Sequence, residues 1–428
     1  MQKYFSFLLI FISGIFSINA QVKKFVSVKD HHFYSAAKAY NYIGVNYWHA
    51  ALLGTTAAGK IRLKKELDFL ALKGVNNIRV LAVAEGTGNI NGVPRVQPAY
   101  QPQKGKYNEE LLNGLDYFLV EMSKRQMKAI IYLGNNWEWS GGFLQYLNWN
   151  GLIADTVVRR KLTWDENRDY VSKFYSCKPC IEQQAFVQKK IVNRVNSITK
   201  KKYKDDAAIM GWELANEPRP MRPAAIDDYK KWIASSASLI KSLDKNHLVT
   251  TGVEGDIGTE NMDVFSAIHT NKNIDYATIH IWPKNWGWFK DTSIAKDMET
   301  IVQKTIEYIQ RHSVALQQLN KPLVIEEFGL PRDEQSFKLT AATSSRDAYY
   351  ATIFEQLLKS VKAGDVLQGV NFWGFSGMGR PSYKQLLWAK GDDMLGDPPV
   401  EEQGLNSVFD TDKSTWQIIQ SYILKLKN

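Results

Sequence analysis

Gly211-Trp212-Glu213-Leu214-Ala215-Asn216-Glu217-Pro218 is the stretch whose reading decides the fold. The run from Ala207 to Trp212 is largely apolar and predicts a buried strand, which closes on a polar cluster and a proline. Pro218 has no N–H to give to a ladder, so the strand stops there. An amide and a carboxylate are thereby set at the C-terminal end of a strand, where β/α barrels gather their chemistry. A second acidic strand end follows at Pro322-Leu323-Val324-Ile325-Glu326-Glu327-Phe328-Gly329.

Outward from these two stretches the chain alternates strand and helix. Strands are expected at Tyr42–Trp48, Asn77–Leu81, Lys128–Leu133, Leu248–Glu254, Tyr276–Trp282 and Gly369–Trp373. Helices are expected over Lys60–Lys73, Glu109–Arg125, Ile181–Ile198, Asp227–Leu243 (Asp227 as N-cap), Ser293–Leu319, Arg346–Lys362 and Trp416–Leu426. A Trp-, Gly- and Asn-rich insertion from Trp137 to about Cys180 exceeds ordinary connections and predicts a cleft-forming loop. Eight strand–helix alternations read as one (β/α)₈ (TIM) barrel over residues 21–428, of α/β class, with long βα loops. A doubly wound sheet would carry a glycine-rich phosphate loop after its first strand, and none is present.

The chain has 428 residues, 44% hydrophobic and 23% charged, a globular composition. Its formal net charge of +10 comes from lysines spread along helical segments beside acidic residues. No nucleic-acid-binding motif accompanies them, so the charge reads as a solvated surface. Residues 1–20 read as a signal peptide: Lys3, an apolar run Tyr4–Phe16, then small and polar residues to Ala20. The run is short for a membrane helix, and stable membrane insertion is not expected. The mature chain is expected to be secreted or periplasmic, and a monomer. Its two cysteines, Cys177 and Cys180, suit a local disulfide in an exported protein. No zinc-ligand cluster is visible, and neither a metal nor a cofactor is expected.

Two carboxylates on two strand tips of one barrel is the layout that a retaining glycosidase needs. Side chains alternate across a strand, so of Glu326 and Glu327 only one is expected to point into the barrel mouth. Glu327 lies nearer the tip, which sends Glu326 toward the surrounding helices. By the same parity Glu213 faces inward with Glu217, but about 13 Å deeper, as a polar residue of the barrel core.

Asn216-Glu217-Pro218 and Glu327-Phe328-Gly329, with Arg79, His280 and Trp373 in order on strands two, six and eight, resemble glycoside hydrolase family 5. Trp212–Arg219, His280–Trp288, Gly396-Asp397-Pro398-Pro399 and Gln403–Phe409 are similar to the β-1,4-mannanase branch of that family, as is the third tip, Asn135-Asn136-Trp137. The chain departs from the broad family at Trp282, where many members carry tyrosine.

The resemblance implies Glu217 as acid/base and Glu327 as nucleophile. It implies Arg79 as a bidentate clamp on Glu327, Asn216 as partner of the sugar 2-hydroxyl, His280 as orienter of a carboxylate and Trp373 as a flat floor for the sugar. Asn136 and Trp282 join the expected substrate-binding set, with Trp48, Trp137, Arg219, Glu254 and Trp286 as further candidates; Arg219 and Glu254 equally suit a pair with each other. The implied activity is endo-β-1,4-mannanase action on a β-mannan-type polysaccharide. An exo-acting mannobiose-releasing enzyme, another family 5 β-glycanase and a non-catalytic glycan-binding barrel are the alternatives. The signal reading is checked by mass: the exported protein is expected to begin at Gln21, and a chain retaining Met1 overturns it.

Overall fold

The computed structural model describes residues 25–290 and 294–427. The expected signal peptide and Ser293 lie outside the described residues. The barrel strands are β1 (Tyr42–Asn46), β2 (Asn77–Leu81), β3 (Lys128–Tyr132), β4 (Ile209–Glu213), β5 (Leu248–Thr250), β6 (Ala277–Ile281), β7 (Leu323–Phe328) and β8 (Leu367–Phe372). All run parallel, each pairs with the next in the chain except β5 with β6, and β8 pairs with β1. A single bridge from Thr250 to Tyr276 brings the two remaining edges together. The chain is therefore a (β/α)₈ barrel. Apart from Lys128 every strand residue is buried, as a sheet covered on both faces requires.

The barrel helices are α1 (Ala57–Lys73), α2 (Glu109–Lys124), α3 (Lys178–Val192), α4 (Ile226–Leu243), α5 (Met262–His269), α6 (Ile294–Leu319), α7 (Ser344–Ala363) and α8 (Lys413–Lys427). Their ends follow local chemistry. The Thr56 side chain accepts from the Gly59 N–H at the start of α1, and Gly74, at φ 87°, ends it in the left-handed conformation that glycine adopts without strain. Asn108 caps α2 in the same way.

Several boundaries differ from the sequence reading, each for a local reason. Asp227 is not the N-cap of α4: Ala225 holds that place, and Asp227 lies in the first turn, where its charge meets the free N–H groups. Strand β5 stops at Thr250 instead of Glu254, because the backbone turns at Gly252 with φ 76°. Helix α3 starts at Lys178, with Pro179 in its first turn where no N–H is needed, and ends at Val192 short of Ile198. The insertion after β3 is not plain loop, since it folds into the short helices Gly142–Trp149, Asp155–Arg159 and Trp164–Val171. A disulfide joins Cys177 to Cys180 at its end.

Helix α5 had no counterpart in the sequence reading, and neither had a sheet ahead of the barrel. An antiparallel sheet of Val26–Lys29, His32–Ser35 and Lys38–Ala39 precedes β1. Its Val26 and Phe33 pack with Tyr42, Ile130, Met210, Leu248, Tyr276 and Val324, and so cover the N-terminal end of the barrel. The opposite end is left for the βα loops. Among the described residues no helix is long and apolar enough to cross a membrane.

The barrel wall tolerates no added bulk at Gly44. A Cβ there would lie 2.4 Å from Asn371 Nδ2 and 2.7 Å from the Asn77 carbonyl oxygen. Gly44→Ala is expected to destabilise the fold by about 1–3 kcal/mol, read as a lower urea midpoint at unchanged slope.

Candidate active site

Arg79 on β2 is wholly buried and donates to four side chains. Nε and Nη2 grip Glu213 of β4 at 2.7 and 2.6 Å, and Nη2 also reaches Asn216 Oδ1 at 2.7 Å. Nη1 donates to Asn46 Oδ1 of β1 at 3.0 Å and to Glu327 Oε1 of β7. The guanidinium also lies over the Tyr132 ring, 4.5 Å from its centroid. The bidentate fork therefore closes on Glu213, not on Glu327 as the sequence reading had it. Glu327 receives one N–H, because the fork's flat edge faces the deeper carboxylate.

Glu217 stands above this cluster on the loop leaving β4. Its N–H donates to the Gly252 carbonyl at 2.8 Å, while Asn216 exchanges backbone bonds with Gly134 and Asn136 beyond β3. Glu217 takes φ 50°, a conformation that an L-residue holds only when its neighbours fix it. Its Oε1 lies 2.6 Å from His280 Nδ1, and its Oε2 accepts from Trp137 Nε1. Glu327 Oε2 accepts from Trp282 Nε1 at 3.2 Å and lies 3.4 Å from the same His280 nitrogen. An indole N–H thus serves the carboxylate at the position where tyrosine was expected in the broad family.

A ring nitrogen of His280 and one carboxyl oxygen each of Glu217 and Glu327 all lie within 4.8 Å of one another. Burial raises both carboxyls above the ordinary range, and the charge of Glu217 pushes Glu327 further. Two buried carboxyls this close hold one proton between them. Glu327 is the better home for the negative charge, since a guanidinium and an indole both donate to it. Burial pushes His280 down to about 4, so the ring is neutral near pH 7.

Parity failed at Glu326. The register of β7 against β6 runs from Ile325 opposite Ile279 directly to Glu327 opposite His280, leaving Glu326 as the extra residue of a bulge. Glu326 is fully buried, 3.7 Å from Arg79 Nε and 3.9 Å from His280 Nε2, rather than turned to the helices.

A cavity of about 580 Å³ opens over the pair. Asn216, Glu217, Arg219, Glu254, Trp137, Trp282, Trp286, Trp373 and Glu327 border it. Arg79 and His280 do not border it: they lie beneath and act through the carboxylates. Trp48 and Asn136 do not border it either. The Trp48 indole is buried and spends its N–H on the Gly396 carbonyl at 2.9 Å, and Asn136 Oδ1 accepts from the Arg219 N–H at 3.4 Å. Arg219 and Glu254 pair with each other through two bonds, Nη2 to Oε1 at 2.6 Å, and Arg219 lies over the Trp137 ring at 5.0 Å.

Sequence reasoning missed several wall residues. Trp164, half exposed, stacks on Trp137 at 6.1 Å between centroids. Glu401, Glu402 and Asn406 come from the loop after β8, and Lys284 and Asn285 from the loop after β6. Nothing periodic marks such loop residues. Lys284, Asn285 and Asn406 did lie within the segments His280–Trp288 and Gln403–Phe409 that carry the resemblance, and Asn46 lies at the end of the first strand.

Arg79 and Glu213 form a buried pair whose separation is costly. Glu213→Ala is expected to cost about 3–5 kcal/mol by leaving the guanidinium half unpartnered, measured by chemical unfolding; a loss under about 1 kcal/mol overturns the assignment of the fork as the barrel's central tie.

Residues 23–428 match the family model described as GH family 5 beta-mannosidase-like. The chain is similar to mannan endo-1,4-beta-mannosidase 4 of Solanum lycopersicum, 32% identical over 300 residues that cover 66% of this chain and 68% of the relative. It is also similar to mannan endo-1,4-beta-mannosidase 1 of Oryza sativa subsp. japonica, 28% identical over 84% of this chain and 80% of the relative. The crystal structure of a glycoside hydrolase family 5 mannosidase from Rhizomucor miehei superposes with a TM-score of 0.85 at 32% identity, covering 95% of this chain and 98% of that one. Matched along nearly its whole described length, with two glutamates at the tips of β4 and β7, the chain belongs to glycoside hydrolase family 5, in its β-mannosidase-like branch.

Proposed function

We propose that this enzyme hydrolyses internal β-1,4-mannosidic bonds of mannan, glucomannan or galactomannan with retention of configuration. The observation that carries the reading is the opposed pair Glu217 and Glu327, with oxygens within 4.8 Å of each other at the floor of an aromatic-walled cavity. Retaining glycosidases keep their carboxyls about 5–5.5 Å apart, too close for an intervening water and right for a covalent intermediate.

In the first step Glu327, held ionised by Arg79 and Trp282, attacks the anomeric carbon as Glu217 protonates the leaving oxygen. In the second step Glu217 takes a proton from water, which displaces Glu327. Asn216 has its oxygen committed to Arg79 and one N–H to Asn135 at 3.1 Å. Its other N–H serves the sugar 2-hydroxyl, the group whose axial placement distinguishes mannose from glucose. A site that bonds one epimer leaves polar atoms unpaired with the other, at about 1–3 kcal/mol per group. Trp373 and Trp282, edge to face with centroids 6.0 Å apart, supply apolar surface for the ring. Mannan-cleaving relatives named endo-acting, and the Rhizomucor miehei mannosidase also solved with mannosyl-fructose, support the substrate class. Export after removal of residues 1–20, with action as a monomer, belongs to the same proposal; the disulfide suits an oxidising compartment.

Release of mannose or mannobiose from chain ends is the second reading. Lys284 and Glu402, 3.7 Å apart, tie the loop after β6 to the loop after β8 beside the cavity, a link that narrows a through-running cleft.

The expected outcomes are specific. Glu327→Ala abolishes turnover on every substrate. Glu217→Ala loses far less on aryl mannosides with good leaving groups, and azide partly restores it as a β-configured product. NMR of the first wild-type product shows the β-anomer, and an α-anomer overturns retention. Galactomannan loses viscosity rapidly, with little action on carboxymethylcellulose; early mannobiose or mannose at constant viscosity selects the chain-end reading.

A further inference from the structure

Among the described residues, several buried polar groups beneath the carboxylate pair have no hydrogen-bond partner: His280 Nε2, both carboxyl oxygens of Glu326, and the phenol oxygens of Tyr42 and Tyr276 that face Glu326. His280 and Glu326 are neighbours, with Nε2 3.9 Å from Oε2. That is too long for a hydrogen bond, and a shift of about 1 Å makes one. The bulge in β7 is what turns Glu326 to this place, and the Glu326 carbonyl is held there by Asn46 Nδ2 at 2.8 Å. Orphaned buried polar atoms are rare and call for a reason.

We propose that Glu326 is a positioning residue that sets, through the His280 ring, where the proton of the Glu217–Glu327 pair resides. This rests on the reading of Glu217 as acid and Glu327 as nucleophile. A neutral imidazole carries one N–H and one acceptor nitrogen. When Glu326 is ionised it draws the N–H to Nε2, and Nδ1 becomes an acceptor. That nitrogen lies 2.6 Å from Glu217 and 3.4 Å from Glu327, so it favours the proton on Glu217. Glu327 is then left ionised under Arg79 and Trp282. A protonated Glu326 acts oppositely, donating to Nε2 and placing the N–H at Nδ1, which stabilises an ionised Glu217 unable to serve as acid.

The groups facing Glu326 come from four strands besides its own. Arg79 of β2 lowers its affinity for a proton and Glu213 of β4 raises it; His280 of β6 lowers it. The phenols of Tyr42 on β1 and Tyr276, just ahead of β6, also feel its charge. Burial, the largest influence, raises Glu326 to about 6, so it is ionised near pH 7.

The test uses the full chain and two substrates, a mannan oligomer and 2,4-dinitrophenyl β-mannoside, whose leaving group needs no proton. Glu326→Gln removes the charge and the bias of the ring at little change in volume. The basic limb of kcat/KM on the oligomer is expected to move to lower pH by about 0.5–1 unit, with about a three- to tenfold loss at pH 7 and little loss on the aryl mannoside. Glu326→Asp, which keeps the charge, is expected to hold the limb near its wild-type position. Equal losses on both substrates with an unmoved limb reduce Glu326 to a structural residue and overturn the proposal. The wild-type protein labelled with ¹⁵N-histidine gives a second measurement that no variant's folding can confound. An Nε2–H tautomer of His280 above pH 7 is expected, and an Nδ1–H tautomer overturns the proposal. If Glu217→Ala itself shows no dependence on the leaving group, the assignment of the acid fails, an outcome separate from the failure of the Glu326 variants alone.

Discussion

A single guanidinium sealed inside the barrel holds the site together. Arg79 donates to Glu213, Asn216, Asn46 and Glu327, so β1, β2, β4 and β7 converge on one residue. Arginine suits the place because its charge persists when buried and its donors form a rigid fork. Lysine would offer a point charge that burial could neutralise. The cost of removing such a group from water is met only because each side of the fork finds an acceptor.

Around that cation the barrel crowds Glu213, Glu217, Glu326 and Glu327, with His280 wedged between. So many acids cannot all ionise in a low-dielectric interior. What separates their roles is the set of donors each receives. Glu213 takes the fork and is committed to structure. Glu327 takes one guanidinium N–H and an indole N–H, which favour its charged form. Glu217 meets Trp137 and the His280 ring and borders the cavity, which suits the acid/base role proposed for it.

The walls are built by different means from the floor. The insertion after β3 contributes Trp137 and Trp164, and the loop after β8 contributes Glu401, Glu402 and Asn406. That second loop is anchored from below: Asp397 accepts from Gly404, Asn406 and Ser407, and the buried Arg346 donates to the carbonyls of Leu330, Leu405 and Ser407. Long loops can thus present a defined surface because buried polar groups fix their bases. On the proposed function, the floor supplies the reaction, and the walls decide which chain enters and from which direction.

The sequence by itself determined the barrel, because eight short apolar strands alternating with amphipathic helices leave few other ways to bury their faces. It also located Glu217 and Glu327, since a proline or a Phe-Gly pair at a strand end marks where the ladder stops and side chains reach the mouth. What it could not give were relations between strands. The fork of Arg79 went to Glu213, whose depth on β4 matters only once β2 lies within reach. Trp48 turned away from the cavity with its N–H on the Gly396 carbonyl, and Asn136 did so with its oxygen on the Arg219 backbone N–H. Glu326 turned inward because β7 gained one residue against β6, and strict alternation holds only while register is kept. Register, depth and loop closure are properties of strands packed against each other, and local sequence carries no record of them.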